Sequence, residues 1–273
     1  MTPALLEKPI RLDPKAGDLA EALAALGPCC LQTRTRSIEL STWADPAETV
    51  ITAEGHLWFP SLGLELTSDR IEGVHASPLP QLPDHAGIIE LDSADGLGRV
   101  GFAVGTDPAT RARFHRLIGD FGLGEIENRE LVEWRRSLDS GFRMCPCCLE
   151  AARKRRERPD LHPLADILIH SSQLGIELLV EFGHDAFTHS VFMTPGPVHC
   201  SGGIAVTSVD ATSILRIDPL LLHALCISPR AVDGELRTVL HAFNPLGQRI
   251  LTLSCPDADQ LMIWQEYART PDR

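Results

Sequence analysis

The sequence concentrates three thiols in Cys145-Pro146-Cys147-Cys148. Cys145 and Cys148 form a C-x-x-C pair at an expected helix start, where the helix dipole and nearby arginines favour the thiolate. Thiolates at this spacing bind soft metals or sense oxidation, so Cys145, Cys147 and Cys148 are candidate ligands for zinc or another soft metal, or redox thiols. A closed zinc site needs a fourth ligand, for which Cys29, Cys30 and His162 are the candidates. A thioredoxin-type site would follow a strand in a β-α-β setting, whereas the flanks here are helical or irregular. The run Arg153-Lys154-Arg155-Arg156-Glu157-Arg158 offers cations to phosphates, carboxylates or an acidic protein partner, or else forms a solvated helix face. It makes a poor membrane helix, since only Leu149, Ala151 and Ala152 supply apolar surface.

Eleven histidines are scattered through the chain, without an H-E-x-x-H spacing that would indicate a zinc hydrolase. His184 and His189 flank an expected hairpin, and His199 precedes Cys200 after Pro195-Gly196-Pro197. No G-x-S-x-G elbow or phosphate-binding glycine loop is present, and Ser201-Gly202-Gly203 lacks the flanks of a nucleotide fingerprint.

The elements that would position these residues come twice. Leu64-Glu65-Leu66-Thr67-Ser68-Asp69-Arg70-Ile71-Glu72-Gly73-Val74-His75-Ala76-Ser77-Pro78 aligns without a gap on Leu215-Arg216-Ile217-Asp218-Pro219-Leu220-Leu221-Leu222-His223-Ala224-Leu225-Cys226-Ile227-Ser228-Pro229. Each Ser-Pro is followed by a hairpin, a turn (Gly96-Leu97-Gly98-Arg99 against Leu246-Gly247-Gln248-Arg249), an apolar strand and an Asp opening a helix, Asp107 or Asp257. An offset of about 150 residues indicates duplicated domains, because solenoid periods are 20 to 50 residues.

The expected division is a first module over 1–123, a helical, Cys-rich basic linker over 124–160 and a second module over 161–273. Within the first, Asp18 to Leu26 reads as a helix, Leu31 to Leu40 as a strand, Trp43 to Glu48 as a loop, and Pro108 to Phe121 as a helix with Ala112, His115, Leu117 and Ile118 on its apolar face. Glu127 to Leu138 and Leu161 to Leu174 read as helices, Ile176 to Phe182 as a strand, and Ala258 to Ala268 as a last helix. Strand runs flanked by helices predict an α+β fold, a duplicated antiparallel meander with two sheets packed together.

Composition bounds the function. With 273 residues, 44% of them hydrophobic, the chain can bury a substantial core. A formal charge of −12 argues against a nucleic-acid backbone as principal partner. Without an N-terminal apolar segment or a run of about 18 apolar residues, no membrane span is expected, and the expected location is the cytoplasm.

The second module resembles the repeat of cytoplasmic haem-utilisation proteins of the HemS/ChuX type. The resemblance rests on Leu179-Val180-Glu181-Phe182-Gly183, Gly196-Pro197-Val198, Ile204 to Pro219, Leu225-Cys226-Ile227-Ser228-Pro229-Arg230 and the strand–turn–strand from Leu236 to Leu253 around Asn244-Pro245-Leu246-Gly247. It implies two packed antiparallel sheets with helices and a haem-binding cleft beside them. It also implies an iron-ligating His near the start of the second half and basic residues at the propionates. Leu161-His162-Pro163 occupies the corresponding region here, without the family's following aromatics. Under the resemblance, His162 or His199 is the expected ligand, Arg216 and Arg230 the expected propionate partners, and haem trafficking or iron release the expected function. A thiol or metal-dependent regulatory protein built on Cys145 to Cys148, and an interaction module without a ligand, are the alternatives.

Overall fold

The structure is a computed structural model that describes residues 6–13, 16–46, 50–51, 56–79, 84–138, 145–147, 149–150, 153, 162–232 and 235–255. The chain divides into two compact units, each of which takes a short segment from the opposite half of the sequence. Unit 1 comprises 1–34, 41–141 and 185–189; unit 2 comprises 35–40, 142–184 and 190–273.

Unit 1 begins with β1 (Ile10–Leu12), α1 (Ala16–Ala24) and β2 (Cys29–Arg34). The later part of β3 (Ile38–Ala44), then β4 (Val50–Ile51), β5 (His56–Phe59), β6 (Leu64–Thr67), β7 (Ile71–Ser77), β8 (His85–Ser93) and β9 (Arg99–Gly105) follow. The unit closes with α2 (Pro108–Phe121), β10 (Gly122–Glu125) and α3 (Asn128–Leu138). Its strands pair antiparallel in the order β10-β1-β7-β8-β9-β2, and a second set runs β4-β5-β6. Alternation determines which faces meet: Cys29, Leu31 and Thr33 of β2 are buried while Cys30 and Gln32 are not. Between the layers the Phe59 and Phe102 rings, both fully buried, lie 5.9 Å apart and tilted by 54°. Each such side chain contributes about 1.5–3 kcal/mol by leaving water.

Unit 2 holds α4 (Pro163–Leu174), β11 (Leu178–His184), the later part of β12 (Phe187–Met193), β13 (Pro195–His199), β14 (Ile204–Ser208), β15 (Ser213–Ile217), β16 (Ala224–Val232), β17 (Glu235–Phe243) and β18 (Arg249–Ser254). Its strands pair antiparallel as β16-β17-β18-β11 and β15-β14-β13.

The duplication is structural. The series α1-β2-β3-β4-β5-β6-β7-β8-β9 is matched in kind and order by α4-β11-β12-β13-β14-β15-β16-β17-β18. Strand, 3-10 turn and strand recur at β6, Ser68–Arg70 and β7, and again at β15, Pro219–Leu221 and β16, where the aligned sequences place them. The glycines of the aligned turns, Gly96 (φ 68) and Gly247 (φ 77), both adopt the left-handed conformation that side chains disfavour.

Several local expectations are corrected. The strand expected over Leu31 to Leu40 is two strands, because Thr35 N donates to Ile38 O at 2.8 Å and closes a turn. Trp43 and Ala44 belong to β3 rather than a loop. Helix α2 buries Thr110, Phe114 and Leu117, leaving Ala112 exposed, since its core stripe follows i, i+4, i+7 from Thr110. Asp107 provides that cap, accepting from Thr110 N at 2.9 Å, and this hydrogen bond holds its carboxyl below the usual range. Most of the helix expected after Cys148, and all of that over Ala258 to Ala268, lie outside the described residues.

Candidate functional site

The cysteine cluster does not assemble a metal centre among the described residues. Cys145 is half-buried, Cys147 is exposed, and their sulfurs lie 2.6 Å apart; Cys148 is outside the description. No three His, Cys, Asp or Glu side chains converge in a metal-holding arrangement among the described residues. The candidate fourth ligands have other surroundings. Burial pushes the Cys29 thiol up to about 12, which keeps it protonated and a poor ligand. Cys30, next on β2, is half-buried with its sulfur 4.0 Å from Leu31 O. Zinc or another soft metal is therefore not carried by this geometry.

His162 is the cap of α4. It is 3% exposed, Pro163 follows at the first helical position, and its Nδ1 accepts from Leu164 N at 3.2 Å. A metal-bound imidazole usually donates from its second nitrogen. His162 Nδ1 instead accepts, so the ring must turn before Nε2 can ligate iron with Nδ1–H as a donor.

The register of β13, β14 and β15 brings two expected residues into one row. His199 pairs with Ala205, and Ala205 pairs with Arg216. Both end residues are exposed, and two strand spacings of about 4.8 Å separate them. The Arg216 guanidinium donates to Glu39 Oε1 at 2.6 Å, so an incoming carboxylate competes with a half-exposed glutamate. Arg230 lies on β16, directly opposite Arg237 of β17.

A charged network in unit 1 escaped the sequence reading. Asp92 Oδ1 accepts from Arg99 Nε at 2.6 Å, while Arg135 Nη2 bridges Glu90 Oε2 and Asp92 Oδ2, both at 2.9 Å. Ser77 Oγ donates to Glu90 Oε2 at 3.1 Å, and the Arg34 guanidinium stands 3.8 Å from Glu90 Oε1. Burial alone would lower the Arg135 pKa, but Glu90 and Asp92 outweigh it and raise the value. His75 Nδ1 approaches Asp92 Oδ2 to 3.3 Å, out of line for a hydrogen bond. Its ring lies against the Trp134 indole, with centroids 4.9 Å apart. Both carboxylates are engaged by guanidinium groups, which makes the network a clamp for α3 rather than a source of general bases. The sequence signal available for it is Trp134-Arg135, one turn after the buried Leu131 in a helix that otherwise faces solvent.

Cavities are lined by described residues of unit 1. One, of about 160 Å³, is lined by Leu12, Leu19, Leu57, Leu66, Val74 and Leu91 among others. Another, about 300 Å³, is a cleft along α1 and α2 where Asp18, Glu21 and Asp120 face Arg113 and Arg116. Pockets for cofactor-sized ligands run from about 300 to 1,000 Å³. The first is below that range, and the second lies at its lower limit with a charged lining.

No protein-family model matches the chain, and no curated protein matches it. Solved structures do. An Escherichia coli haem oxygenase, ChuS, superposes with a TM-score of 0.72 at 13% identity, covering 98% of this chain and 90% of its own. Holo-PhuS, a haem-binding protein from Pseudomonas aeruginosa, gives a TM-score of 0.71 at 16% identity, covering 97% of this chain and 87% of its own. At these identities the likeness establishes the fold: α+β, duplicated, with antiparallel sheets, as the resemblance to haem-utilisation proteins implied. No described helix is long and apolar enough to cross a membrane.

Proposed function

We propose that this chain binds haem and acts in haem trafficking or iron release from haem. The observation that carries the reading is the match over nearly the whole length to two structures whose proteins are described as a haem oxygenase and a haem-binding protein. The donor chemistry is compatible with it. The His199–Ala205–Arg216 row offers an imidazole and a guanidinium on one exposed sheet face. Haem needs an axial donor and cations near its carboxylates. His199 is our first choice of ligand in this row, with Arg216 at a propionate. His162 is the second choice, with Arg230 as the other basic partner. A bound haem would supply a redox-active iron; the chain's own part is to hold it, neutralise its carboxylates and control access of water.

A haem titration of the purified full chain, followed at the Soret band, tests the reading. The expected result is a saturable shift, weakened at least tenfold in His199→Ala and several-fold in Arg216→Ala. An unsaturable, free-haem-like spectrum would reject haem binding. A normal shift in His199→Ala that is lost in His162→Ala would move the ligand to the α4 cap.

A further inference from the structure

The thiols that haem binding leaves unused include a converging pair. Leu149 N donates to Cys145 O at 3.0 Å, a helical bond that makes Cys145 the residue before a helical turn opened by Pro146. The proline ring fixes the backbone φ between Cys145 and Cys147 near −65°. Residues two apart lie within about 7 Å of each other by chain geometry alone. Sequence spacing still leaves their side chains free to point apart, and then no bridge can close. Here they point together, with Cys145 Sγ and Cys147 Sγ 2.6 Å apart. Unbonded heavy atoms settle at about 3.5–4.0 Å, and an S–S bond is about 2.0 Å long. The two sulfurs thus share one space, and a bridge between them closes with little movement.

Exposure separates their roles. Cys147 is exposed and Cys145 half-buried, so a soluble oxidant reaches Cys147 first. The cysteines elsewhere differ. Cys29 is buried, with its thiol pushed up to about 12, which keeps it protonated and inert. Cys226 is as open to solvent as Cys147, but its sulfur lies 3.9 Å from Ile227 O rather than against another thiol. It is a control for exposure alone.

We infer that Cys145 and Cys147 form a modification site, a dithiol that a hydroperoxide oxidises to an intramolecular disulfide. The pair is C-x-C rather than the C-x-x-C that the spacing of Cys145 and Cys148 suggests, and it is independent of haem binding. The deprotonated Cys147 sulfur attacks one peroxide oxygen. The O–O bond breaks, an S–O bond forms, and the other oxygen takes up a proton and leaves as water or an alcohol. The Cys145 sulfur then attacks the sulfenic sulfur of Cys147. The S–S bond forms, the S–O bond breaks, and hydroxide leaves with the Cys145 proton as water. Two thiols have lost two electrons and the peroxide has gained them. A small thiol reverses the bridge by exchange through a mixed disulfide.

The test treats the reduced full chain, without haem, with equimolar hydrogen peroxide and then labels the remaining thiols with iodoacetamide. Mass spectrometry of the tryptic peptide Met144–Arg153, which holds all three clustered cysteines, reads the outcome. The expected product is two hydrogens lighter than the dithiol, carries its single label on Cys148 and reverts with dithiothreitol. Cys148→Ser is expected to keep the bridge. Cys147→Ser is expected to lower oxidation of the peptide at least tenfold at the same exposure, and Cys226 is expected to stay labelled throughout. A bridge to Cys148, a peptide labelled at all three cysteines, or wild-type oxidation in Cys147→Ser would each overturn the inference.

Discussion

At the residue scale, His189 shows how a buried imidazole makes stability depend on pH. Its Nδ1 lies 2.8 Å from Thr33 Oγ1 inside unit 1, Nε2 is buried without a hydrogen-bond partner, and burial lowers the pKa to about 3. The ordinary value is near 6.5, so between the two the unfolded chain binds a proton that the folded chain refuses. Its contribution is full above pH 6.5, falls by about 1.4 kcal/mol per unit below, and levels off below pH 3. From pH 7 to pH 5 the expected loss is about 2 kcal/mol. His189→Gln, which keeps a polar partner for Thr33, is expected to remove that component. Urea midpoints of both proteins across this range check it, and parallel pH curves would reject it. The sequence placed His189 beside a hairpin but gave no sign of its inward orientation, which depends on β12 pairing Phe187 with Leu66 and His189 with Leu64.

At the scale of elements, α3 is held by two side chains on one turn. Trp134 fills the space over Gly73, where an added Cβ would come within 2.6 Å of the indole, and Arg135 bridges Glu90 and Asp92. Removing one partner from a buried ion network typically costs about 3–5 kcal/mol. Arg99 still engages both carboxylates in Arg135→Ala, so the expected loss is about 2–4 kcal/mol. Arg135→Lys is expected to recover little, because a point charge cannot bridge two carboxylates as a planar fork does. Faster hydrogen exchange over Asn128–Leu138 in Arg135→Ala would show that α3 is released; unchanged exchange would refute the clamp. The helix itself was legible from its period, since the expected Glu127 to Leu138 is observed as Asn128–Leu138. Its docking was not legible, because the carboxylates that receive it come from β8, more than 40 residues earlier in the chain and within an otherwise apolar strand. The candidate haem residues show the same limit: types and spacing were readable, whereas the row joining His199 to Arg216 exists only in cross-strand register.

At the scale of the whole molecule, the two repeats share a backbone plan and differ in the groups that line and cover it. The duplication could be read directly because turn glycines, 3-10 breaks and strand lengths are local properties that survive divergence. Gly96 and Gly247 test that separation of plan from covering. Both sit at a left-handed φ, so alanine is expected to cost about 1–2 kcal/mol at either from backbone strain alone. An added Cβ at Gly247 meets nothing within 4 Å, whereas at Gly96 it would lie 2.6 Å from Leu138 Cβ and 2.7 Å from its carbonyl carbon, at the end of α3. That overlap involves backbone and adds about 1–3 kcal/mol of overpacking. Gly96→Ala is therefore expected to destabilise the chain more than Gly247→Ala, and only Gly96→Ala is expected to speed exchange in α3. Equal losses in the two variants would mean that the end of α3 does not press on the Gly96 turn, so that the two turns would differ in neither strain nor covering.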